Sequence, residues 1–474
     1  MRIRLLPLLL LACARSAAAQ IVVIDNVNVV DVDRGAVRSG LTVTIEGTRI
    51  VSVARGKPAV PVGVVRIDGT GRYLIPGLWD MHVHAVTPWF GDYFLPLLVA
   101  NGVTGVRDMF TTGPAVADWR KKIAAGAIGP RVGTYGVLVD GDPPIWGPQS
   151  TVARNPDDGR RIVDSLAATG GFVKVYSRLD SATFVAIATE SKARGIPFEG
   201  HIPQLVSAGQ AADLGQLTVE HLTQVLLGCS SREDEYLGRA RVAWASPKKW
   251  DSLGVLTRGR FRGLLDSQDD ARCRALAERF RKDGTVMVPT ITVLRSVAYL
   301  DDSTLATDER LRYIPAFLKS GWNPKTDFRF KMLTPDDWKL RKEQHTRELA
   351  VLRLLHQAGV RILAGTDLAN PYIFPGFSLH DELELLVGIG MTPAEALRSA
   401  TLEPARFLGA TDSLGTVAPG KLADLVLLSA NPLADIGNIR SIVTVIANGR
   451  VFDAAARRKI LDDAVARATR PPGG

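Results

Sequence analysis

Candidate metal ligands lie far apart along this chain, and each stands at the end of its own short apolar run. They are His82, His84, Lys174, His201, His221 and Asp367. A parallel β/α barrel brings the C-terminal ends of its strands together at one mouth, so ligands distant in sequence become neighbours in space. We therefore predict a metal site at the mouth of such a barrel.

The pair His82 and His84 has the spacing that puts two side chains on the same face of a strand, so both imidazoles can bind one metal. Such pairs also arise by chance. The prediction therefore rests on the other candidate ligands, which also end predicted strands. Two further histidines, His345 and His356, fall in a helical stretch and are interpreted as structural.

Lys174 lies between Val173 and Val175 in an apolar strand, where an ammonium group is costly to bury. One interpretation is a lysine that reaches solvent or pairs with an acid. The other is functional, because carbon dioxide can carboxylate the amine and the carbamate can then bridge two cations. Asp367 can bind a metal and exchange protons with a bound hydroxide. Its alternative role is a helix cap or a carboxylate that orders a loop.

Eight apolar, strand-like runs occupy the middle of the chain, and each but the last precedes a plausible helical stretch. The runs lie near residues 74–80, 103–107, 131–138, 171–175, 196–200, 217–220, 286–292 and 361–366. Strands that alternate with helices predict a parallel sheet, and eight of them favour a closed barrel. The predicted fold class is α/β, a TIM-type (β/α)8 barrel.

The two ends of the chain predict a second, smaller domain, because an eight-stranded barrel takes about 250 residues and the chain has 474. Apolar residues alternate at period two in 41–46 and 50–53, as in a half-buried sheet. Similar strand-like segments occur in 423–428 and 442–446. We predict a small β-sandwich built from both ends. The predicted division has an N-terminal sandwich segment at 20–75, the barrel at 76–412, a C-terminal sandwich segment at 413–460 and a C-terminal tail at 461–474.

A long connection between the seventh and eighth runs, residues 301–347, is rich in aromatic and charged side chains. Long insertions at a barrel mouth often act as lids or substrate walls. A packed structural insertion is the alternative.

The N-terminus predicts an export signal over residues 1–19. Arg2 and Arg4 precede an apolar run, and three alanines before Gln20 resemble a cleavage site. The run is shorter than the ~20 residues that span a bilayer, and no later run is comparable, so we predict no integral membrane segment in the mature chain. The expected location is periplasmic or secreted, and lipid attachment at Cys13 is the less favoured alternative.

Charge and cysteine content exclude some classes of function. Removing residues 1–19 lowers the formal net charge from +9 to +6, and the surplus is scattered, so nucleic acid is not an expected partner. The mature chain keeps Cys229 and Cys273, which form either one disulfide in an oxidising compartment or two free thiols. No cysteine-based zinc motif can be built from them.

Seven motifs follow one another in a characteristic order. They occupy residues 76–84, 102–108, 173–176, 199–203, 220–222, 365–367 and 415–426. In these motifs the chain resembles the amidohydrolase superfamily, in its branch of imidazolonepropionase-like and Xaa-Pro dipeptidase-like enzymes. The resemblance covers nearly the whole mature chain.

The resemblance implies a centre of two divalent metal ions, usually zinc, with a hydroxide between them as the nucleophile. It places His82, His84 and Asp367 at one ion and His201 and His221 at the other, with carboxylated Lys174 as the bridge. Asp367 would be the catalytic residue that takes the proton of the hydroxide and returns it to the leaving amine.

The resemblance also names candidate contacts to a small-molecule substrate. These are Tyr176, Arg107 and His380. Packing in the core, or support of a metal-binding side chain, would explain the presence of each residue equally well. The dipeptidase-like members carry a Gly-Gly-His segment after the third strand, whereas residues 140–147 here lack it. Trp146 and the aromatic insertion would suit a more apolar acyl group.

These observations predict a metal-dependent amidohydrolase that cleaves a C–N bond in an amide, dipeptide-like or cyclic amide substrate. An ester, lactone or carbamate hydrolase with the same centre is the nearest alternative. A non-catalytic, metal-stabilised binding protein is the alternative from another class, and it predicts loss of Asp367 or Lys174, both of which are present. Whether the protein forms a homo-oligomer is left open.

Overall fold

The computed structural model describes residues 20–56, 58–59, 63–87 and 90–469. The predicted export signal, residues 1–19, lies outside the described residues. Within the described ranges, the helices are all too short or too polar to cross a membrane.

The described residues form sixteen strands, which alternate with helices over most of the chain. In chain order the strands are β1 (Ile21–Asp31), β2 (Ala36–Glu46), β3 (Arg49–Ala54), β4 (Val65–Asp68), β5 (Tyr73–Pro76), β6 (Leu78–Val83), β7 (Val103–Asp108), β8 (Arg131–Asp140), β9 (Thr151–Val152), β10 (Phe172–Val175), β11 (Phe198–Gly200), β12 (Thr218–Glu220), β13 (Val286–Val288), β14 (Leu425–Leu428), β15 (Ile442–Ala447) and β16 (Arg450–Phe452).

The helices are α1 (Gly91–Ala100), α2 (Gly113–Ala124), α3 (Pro156–Thr169), α4 (Ser181–Arg194), α5 (Ala208–Asp213), α6 (Val225–Gly228), α7 (Glu233–Trp244), α8 (Lys249–Asp266), α9 (Asp270–Asp283), α10 (Ile291–Ala298), α11 (Ala316–Ser320), α12 (Pro335–Gln357), α13 (Phe377–Gly388), α14 (Pro393–Ser399), α15 (Leu402–Phe407) and α16 (Ala454–Ala468).

A parallel sheet forms the barrel, with the strand order β6-β7-β8-β10-β11-β12-β13 and β9 on the edge of β8. Every residue of β6, β7 and β10 is buried. Parallel strands covered on both faces read as continuous apolar runs, which is why the sequence predicted them. The order of the strands confirms the predicted barrel class.

The eighth predicted run closes the barrel through single bridges rather than as a regular strand. Ile362 bridges Met287 of β13, and Leu368 bridges Val83 of β6, both in parallel orientation. The backbone nitrogen of Asp367 also donates to the carbonyl of His82 over 2.8 Å. This closure places Asp367 beside the end of the first barrel strand.

Both ends of the chain form a separate mixed sheet, with the order β16-β15-β14-β5-β1-β2-β3 and β4 on β1. Leu427 of β14 lies opposite Leu74 of β5 in antiparallel register, which joins the C-terminal strands to the N-terminal ones. The nitrogen of Ile50 in β3 donates to the carbonyl of Lys421 over 2.9 Å, which folds the far edge of the sheet back. This arrangement fits the predicted small sandwich domain.

The C-terminal end differs from the predicted boundary at residue 460. Helix α16 runs through it and packs against α1 of the barrel domain as well as against β15 and β16. Ile460, Ala464 and Ala468 are buried at a spacing of four residues, so they form one apolar stripe on the helix. Residues 461–468 of the predicted tail are therefore packed helix.

The connection between β12 and β13 carries the disulfide. Cys229, directly after α6, is bonded to Cys273 of α9. Both residues are fully buried. The bond joins residues that are 44 positions apart in the sequence, which restricts the unfolded chain.

Candidate metal centre and substrate cavity

The first three candidate ligands meet at the open end of the barrel. Ligand atoms of His82, His84 and Asp367 all lie within 4.8 Å of one another. His84 Nε2 is 2.9 Å from Asp367 Oδ1, and His82 Nε2 is 3.4 Å from the same oxygen. One cation could be bound by all three side chains.

The other three candidate ligands border this cluster. His221 Nε2 lies 3.8 Å from Asp367 Oδ2, and the rings of His221 and His201 are 4.9 Å apart between centroids. Lys174 Nζ lies 3.4 Å from His82 Nε2. The structure thus brings all six sequence-predicted ligands to one mouth.

Two of these residues have a backbone conformation that residues other than glycine rarely adopt. Asp367 has a φ of 61° and His221 a φ of 56°, in the left-handed region. Each such residue costs on the order of 1–3 kcal/mol and persists only where the surroundings hold it. Two strained residues that both present ligand atoms to the same space indicate a functional site.

Hydrogen bonds at Nδ1 fix how two of the histidines face the centre. His82 Nδ1 lies 2.6 Å from Glu220 Oε2, and His221 Nδ1 lies 2.6 Å from Thr290 Oγ1. The Thr290 hydroxyl donates to the carbonyl of Pro289, so its oxygen accepts the proton of His221 Nδ1. In both rings Nε2 therefore keeps a lone pair for a metal.

The donor set fits a divalent cation. Asp367 Oδ1 is buried and accepts no well-aligned hydrogen bond, although His84 Nε2 is close. Burial by itself would raise the pKa of Asp367, but His221, His82 and His84 hold that pKa well below its usual range. An ionised carboxylate among imidazole nitrogens matches the ligands that zinc prefers.

Burial makes the neutral form of the lysine in the same cluster easier to reach. It lowers the pKa of Lys174 to about 8, against the opposing effect of Asp367 and Glu220. A neutral amine is therefore accessible near neutral pH. Only the neutral form of an amine is nucleophilic.

The structure does not bring Arg107 or His380 to the cavity, although the resemblance offers both as substrate contacts. Arg107 is fully buried inside the barrel, where Nη2 donates to Glu220 Oε1 over 2.9 Å. It also donates to Glu199. His380 Nε2 donates to the carbonyl of Asn101 over 2.9 Å, and burial lowers the pKa of His380 to about 4. Arg107 thus supports the centre through Glu220, which contacts His82, whereas His380 joins α13 to the end of α1.

Three of the buried carboxylates that the sequence analysis missed support the candidate ligands, and each is an acid within or at the end of an apolar strand. Glu220 orients His82, and Asp80 accepts from the nitrogen of Thr366 (3.0 Å) and its hydroxyl (2.6 Å). Asp108 accepts from the nitrogens of residues 85 and 86, which follow the His-x-His pair. The sequence signal that could have identified them is an acidic residue in a run that is otherwise apolar.

A cavity of about 1090 Å³ opens over the candidate ligands. Besides the ligands, its lining includes Phe90, Phe110, Ile145, Trp146, Tyr176, Arg178, Phe317, Leu318, Phe328, Arg329 and Asn370. Three aromatic or apolar side chains and one arginine of this set belong to the predicted insertion. The insertion therefore forms a wall of the cavity, and Tyr176 lies where a substrate contact was predicted.

The loop that carries Trp146 is ordered by a buried acid. Asp140, the last residue of β8, accepts from the nitrogen of Ile145 over 2.9 Å and from the nitrogen of Arg178 over 2.7 Å. Trp146 Nε1 then donates to the Tyr176 hydroxyl over 2.8 Å. The stretch that departs from the dipeptidase pattern thus packs an indole against the cavity.

Comparison with known protein families agrees with this arrangement. Residues 73–452 match the Amidohydrolase family. The chain belongs to this family. The matched range includes all six candidate ligands and the whole barrel.

Curated relatives are similar over a limited region. The imidazolonepropionase of Geobacillus kaustophilus (strain HTA426) is 37% identical over 103 residues, which cover 21% of this chain and 24% of that protein. The imidazolonepropionase of Deinococcus deserti is 41% identical over 85 residues, or 18% of this chain and 21% of that protein. The chain therefore spans about a quarter of the length of the curated relatives it matches.

Solved structures are similar over nearly the whole chain. A bottromycin amidohydrolase superposes with a TM-score of 0.71 at 21% identity, over 95% of this chain and 91% of that chain. A Xaa-Pro dipeptidase with bound methionine superposes with a TM-score of 0.65 at 19% identity, over 92% and 100% of the two chains. At these identities the likeness shows the fold.

Replacing Thr290 by valine is expected to weaken metal binding. Valine keeps the shape of the side chain but cannot accept the proton of His221 Nδ1. Loss of such a partner typically costs 10- to 100-fold in metal affinity, so a decrease of about that size is expected. The affinity for zinc would be measured by competition with a chromophoric chelator. Thr290→Ser keeps the hydroxyl and should restore affinity, and equal loss in both variants would contradict this role.

Proposed function

We propose that the protein is a metal-dependent amidohydrolase that cleaves a C–N bond in an amide, dipeptide-like or cyclic amide substrate. The observation that carries this proposal is the convergence of six candidate ligands beneath one large cavity. Membership of the Amidohydrolase family supports it. Similarity to an imidazolonepropionase and a bottromycin amidohydrolase also supports hydrolysis of C–N bonds.

Two divalent ions, with zinc as the usual metal of the superfamily, are proposed to bind in the mouth. His82, His84 and Asp367 would bind one ion, and His201 and His221 the other. When bound, the ions lower the pKa of a water ligand and polarise the scissile carbonyl.

Lys174 is proposed to bridge the two ions as a carbamate. Its lowered pKa supports this, because the neutral amine can attack carbon dioxide and lose a proton. An unmodified lysine would instead place a cation 3.4 Å from His82 Nε2, which opposes metal binding at that nitrogen.

Asp367 is proposed to move the proton in hydrolysis. The oxygen of water bonds to the carbonyl carbon, and the C–N bond breaks as the amine leaves. The proton taken by Asp367 goes to the leaving nitrogen, so the products are a carboxylic acid and an amine. Oδ1 is suited to this because it lies in the mouth without a well-aligned hydrogen bond.

Removal of metal from the purified mature protein is expected to stop amine release. Residues 20–474, loaded with zinc, would be tested on dipeptides, N-acyl amino acids and cyclic amides. Chelation should reduce release to background, and added zinc should restore it. Release that survives metal removal would contradict the proposal. No release across the panel, with two ions bound, would instead favour the ester or lactone hydrolase or the binding protein.

Residues 1–19 are proposed to direct export, with the mature chain beginning at Gln20. The disulfide between Cys229 and Cys273 supports an oxidising compartment, because such bonds rarely persist in a reducing cytosol.

A further inference from the structure

The charge of the cavity lining is unbalanced once the metal ligands are set aside. Its charged residues are Lys174, Arg178, Arg329 and Asp367. Lys174 and Asp367 belong to the metal centre. The lining that is left for a substrate therefore carries two arginines and no carboxylate among the described residues.

A continuous wall of side chains leads from the metal centre to Arg329. The ring of Tyr176 lies 4.0 Å from the ring of His201, and the Tyr176 hydroxyl accepts from Trp146 Nε1. The guanidinium carbon of Arg329 lies 5.7 Å from the Trp146 ring centroid. A small molecule that lies along this wall can reach both the centre and Arg329.

Arg329 is held in place by one acid outside the cavity lining, Asp327, and by one amide within it, Asn370. Its Nη2 donates to Asp327 Oδ2 over 2.7 Å, and its Nε donates to both oxygens of Asp327. Its Nη1 donates to Asn370 Oδ1 over 3.1 Å. A guanidinium has five N–H groups, so two are left for a ligand after these bonds. Its side chain is 25% exposed, and Asp327 is outside the cavity lining.

The same wall presents apolar surface that the protein core does not cover. Phe328 is 58% exposed and Phe317 is 43% exposed, and both line the cavity. The Phe328 ring lies 5.9 Å from the Trp146 ring in an edge-to-face arrangement. Exposed aromatic side chains around a cavity suit an apolar ligand group.

We propose that Arg329 is a specificity-determining residue that binds a carboxylate of the substrate. The substrate class is then an amide with one carboxylate and one large apolar group, as in an N-acyl aromatic amino acid. The apolar group lies on Trp146 and Phe328, and the carboxylate accepts from Arg329. This inference rests on the proposed function, since it names the substrate of the same site.

Two substrates that differ only in charge test the inference. N-benzoyl-phenylalanine carries the carboxylate, and N-benzoyl-phenylalaninamide replaces it by a neutral amide. Benzoate release from each would be measured with the zinc-loaded mature protein. The expected result is a higher kcat/KM for the acid in the native protein. In Arg329→Met, kcat/KM for the acid should fall about 10- to 100-fold, mainly through KM, because hydrogen bonds to charged groups contribute about 1.5–3 kcal/mol.

Control variants separate recognition from structure. The kcat/KM for the neutral substrate should stay within about twofold in Arg329→Met, since that substrate has no charge for Arg329 to bind. Arg329→Lys should recover some of the loss. Arg312→Met should leave both substrates unchanged, because Arg312 belongs to the same insertion but does not line the cavity. Equal loss for both substrates, or no loss for either, would overturn the role of Arg329.

A binding measurement keeps this inference separate from the proposed function. Calorimetry with N-benzoyl-phenylalanine and the zinc-loaded protein needs no turnover. If the native protein binds the acid and Arg329→Met binds it at least about tenfold more weakly, Arg329 recognises the carboxylate even in the absence of hydrolysis. Equal binding by both proteins would place the carboxylate elsewhere and overturn the inference.

Discussion

Asp367→Asn is expected to reduce C–N bond hydrolysis by about 10³-fold or more, because proton transfer by a positioned side chain contributes roughly 10²–10⁴-fold and the variant also loses a charged ligand. Asparagine has the same shape, but its amide cannot take up a proton at neutral pH. Asp367 Oδ1 is within 3.4 Å of two imidazole nitrogens, so its charge is central to the cluster. Amine release at saturating zinc would measure the effect.

Metal content decides what a loss of activity in this variant means. Asp367→Asn that binds two ions but does not release amine supports a role in proton transfer. Loss of the ion at His82 and His84 would support a role as ligand alone. Asp301→Asn is a suitable control, since Asp301 pairs with Lys342 at the surface and should leave activity unchanged. Full activity of a zinc-loaded Asp367→Asn protein would contradict the mechanism.

The clustering of the candidate ligands could be predicted because barrel topology alone brings strand ends together. His201 and His221 follow β11 and β12 directly, and Asp367 precedes the bridge that closes the barrel. No detail of side-chain packing was needed for this. The same reasoning predicted the parallel strands, whose burial on both faces leaves an uninterrupted apolar run.

The support behind the ligands could not be predicted in the same way. Arg107 in β7 has the same apolar neighbours whether it points to a substrate or to the barrel interior. The structure shows that it faces Glu199 and Glu220, which lie more than 90 residues further along the chain. Pairing between strands sets such contacts, and a single sequence does not reveal which buried acid meets which base.

The C-terminal helix was missed for another reason. Its apolar stripe at Ile460, Ala464 and Ala468 is built largely from alanine, so the two faces of the helix differ little in hydrophobicity. The signal for a helix was nonetheless present, because Asp453 caps its start through the nitrogen of Ala456 over 2.8 Å. A tail was predicted where a capped, half-buried helix lies.

The insertion illustrates how one segment can serve both of the predicted roles. Phe330 and Trp338 pack with Leu300 in an apolar cluster, as a structural insertion would. Phe328 and Arg329, from the same segment, line the cavity. The packed side of the insertion therefore fixes the position of the side that faces the cavity.

Arg107→Met is expected to lower the free energy of unfolding by about 3–5 kcal/mol, because removing one partner of a buried ion pair leaves an uncompensated charge. Arg107 is fully buried and donates to two buried carboxylates, Glu199 and Glu220. Methionine fills much of the volume but offers no donor. Urea unfolding of the mature protein would measure the loss, with metal content matched between the proteins.

Two further variants show whether the lost stability comes from buried carboxylates that no longer have a partner. Arg34→Met removes an arginine whose side chain is 81% exposed, and its effect should stay within about 0.5 kcal/mol. Adding Glu199→Gln to Arg107→Met removes one of the two stranded carboxylates, so some of the lost stability should return. Because Glu220 also orients His82, the single variant should bind zinc more weakly as well. If the double variant were less stable than Arg107→Met, the carboxylates would not be the source of the loss, and the packing of Arg107 against Phe172 and Phe407 would account for it.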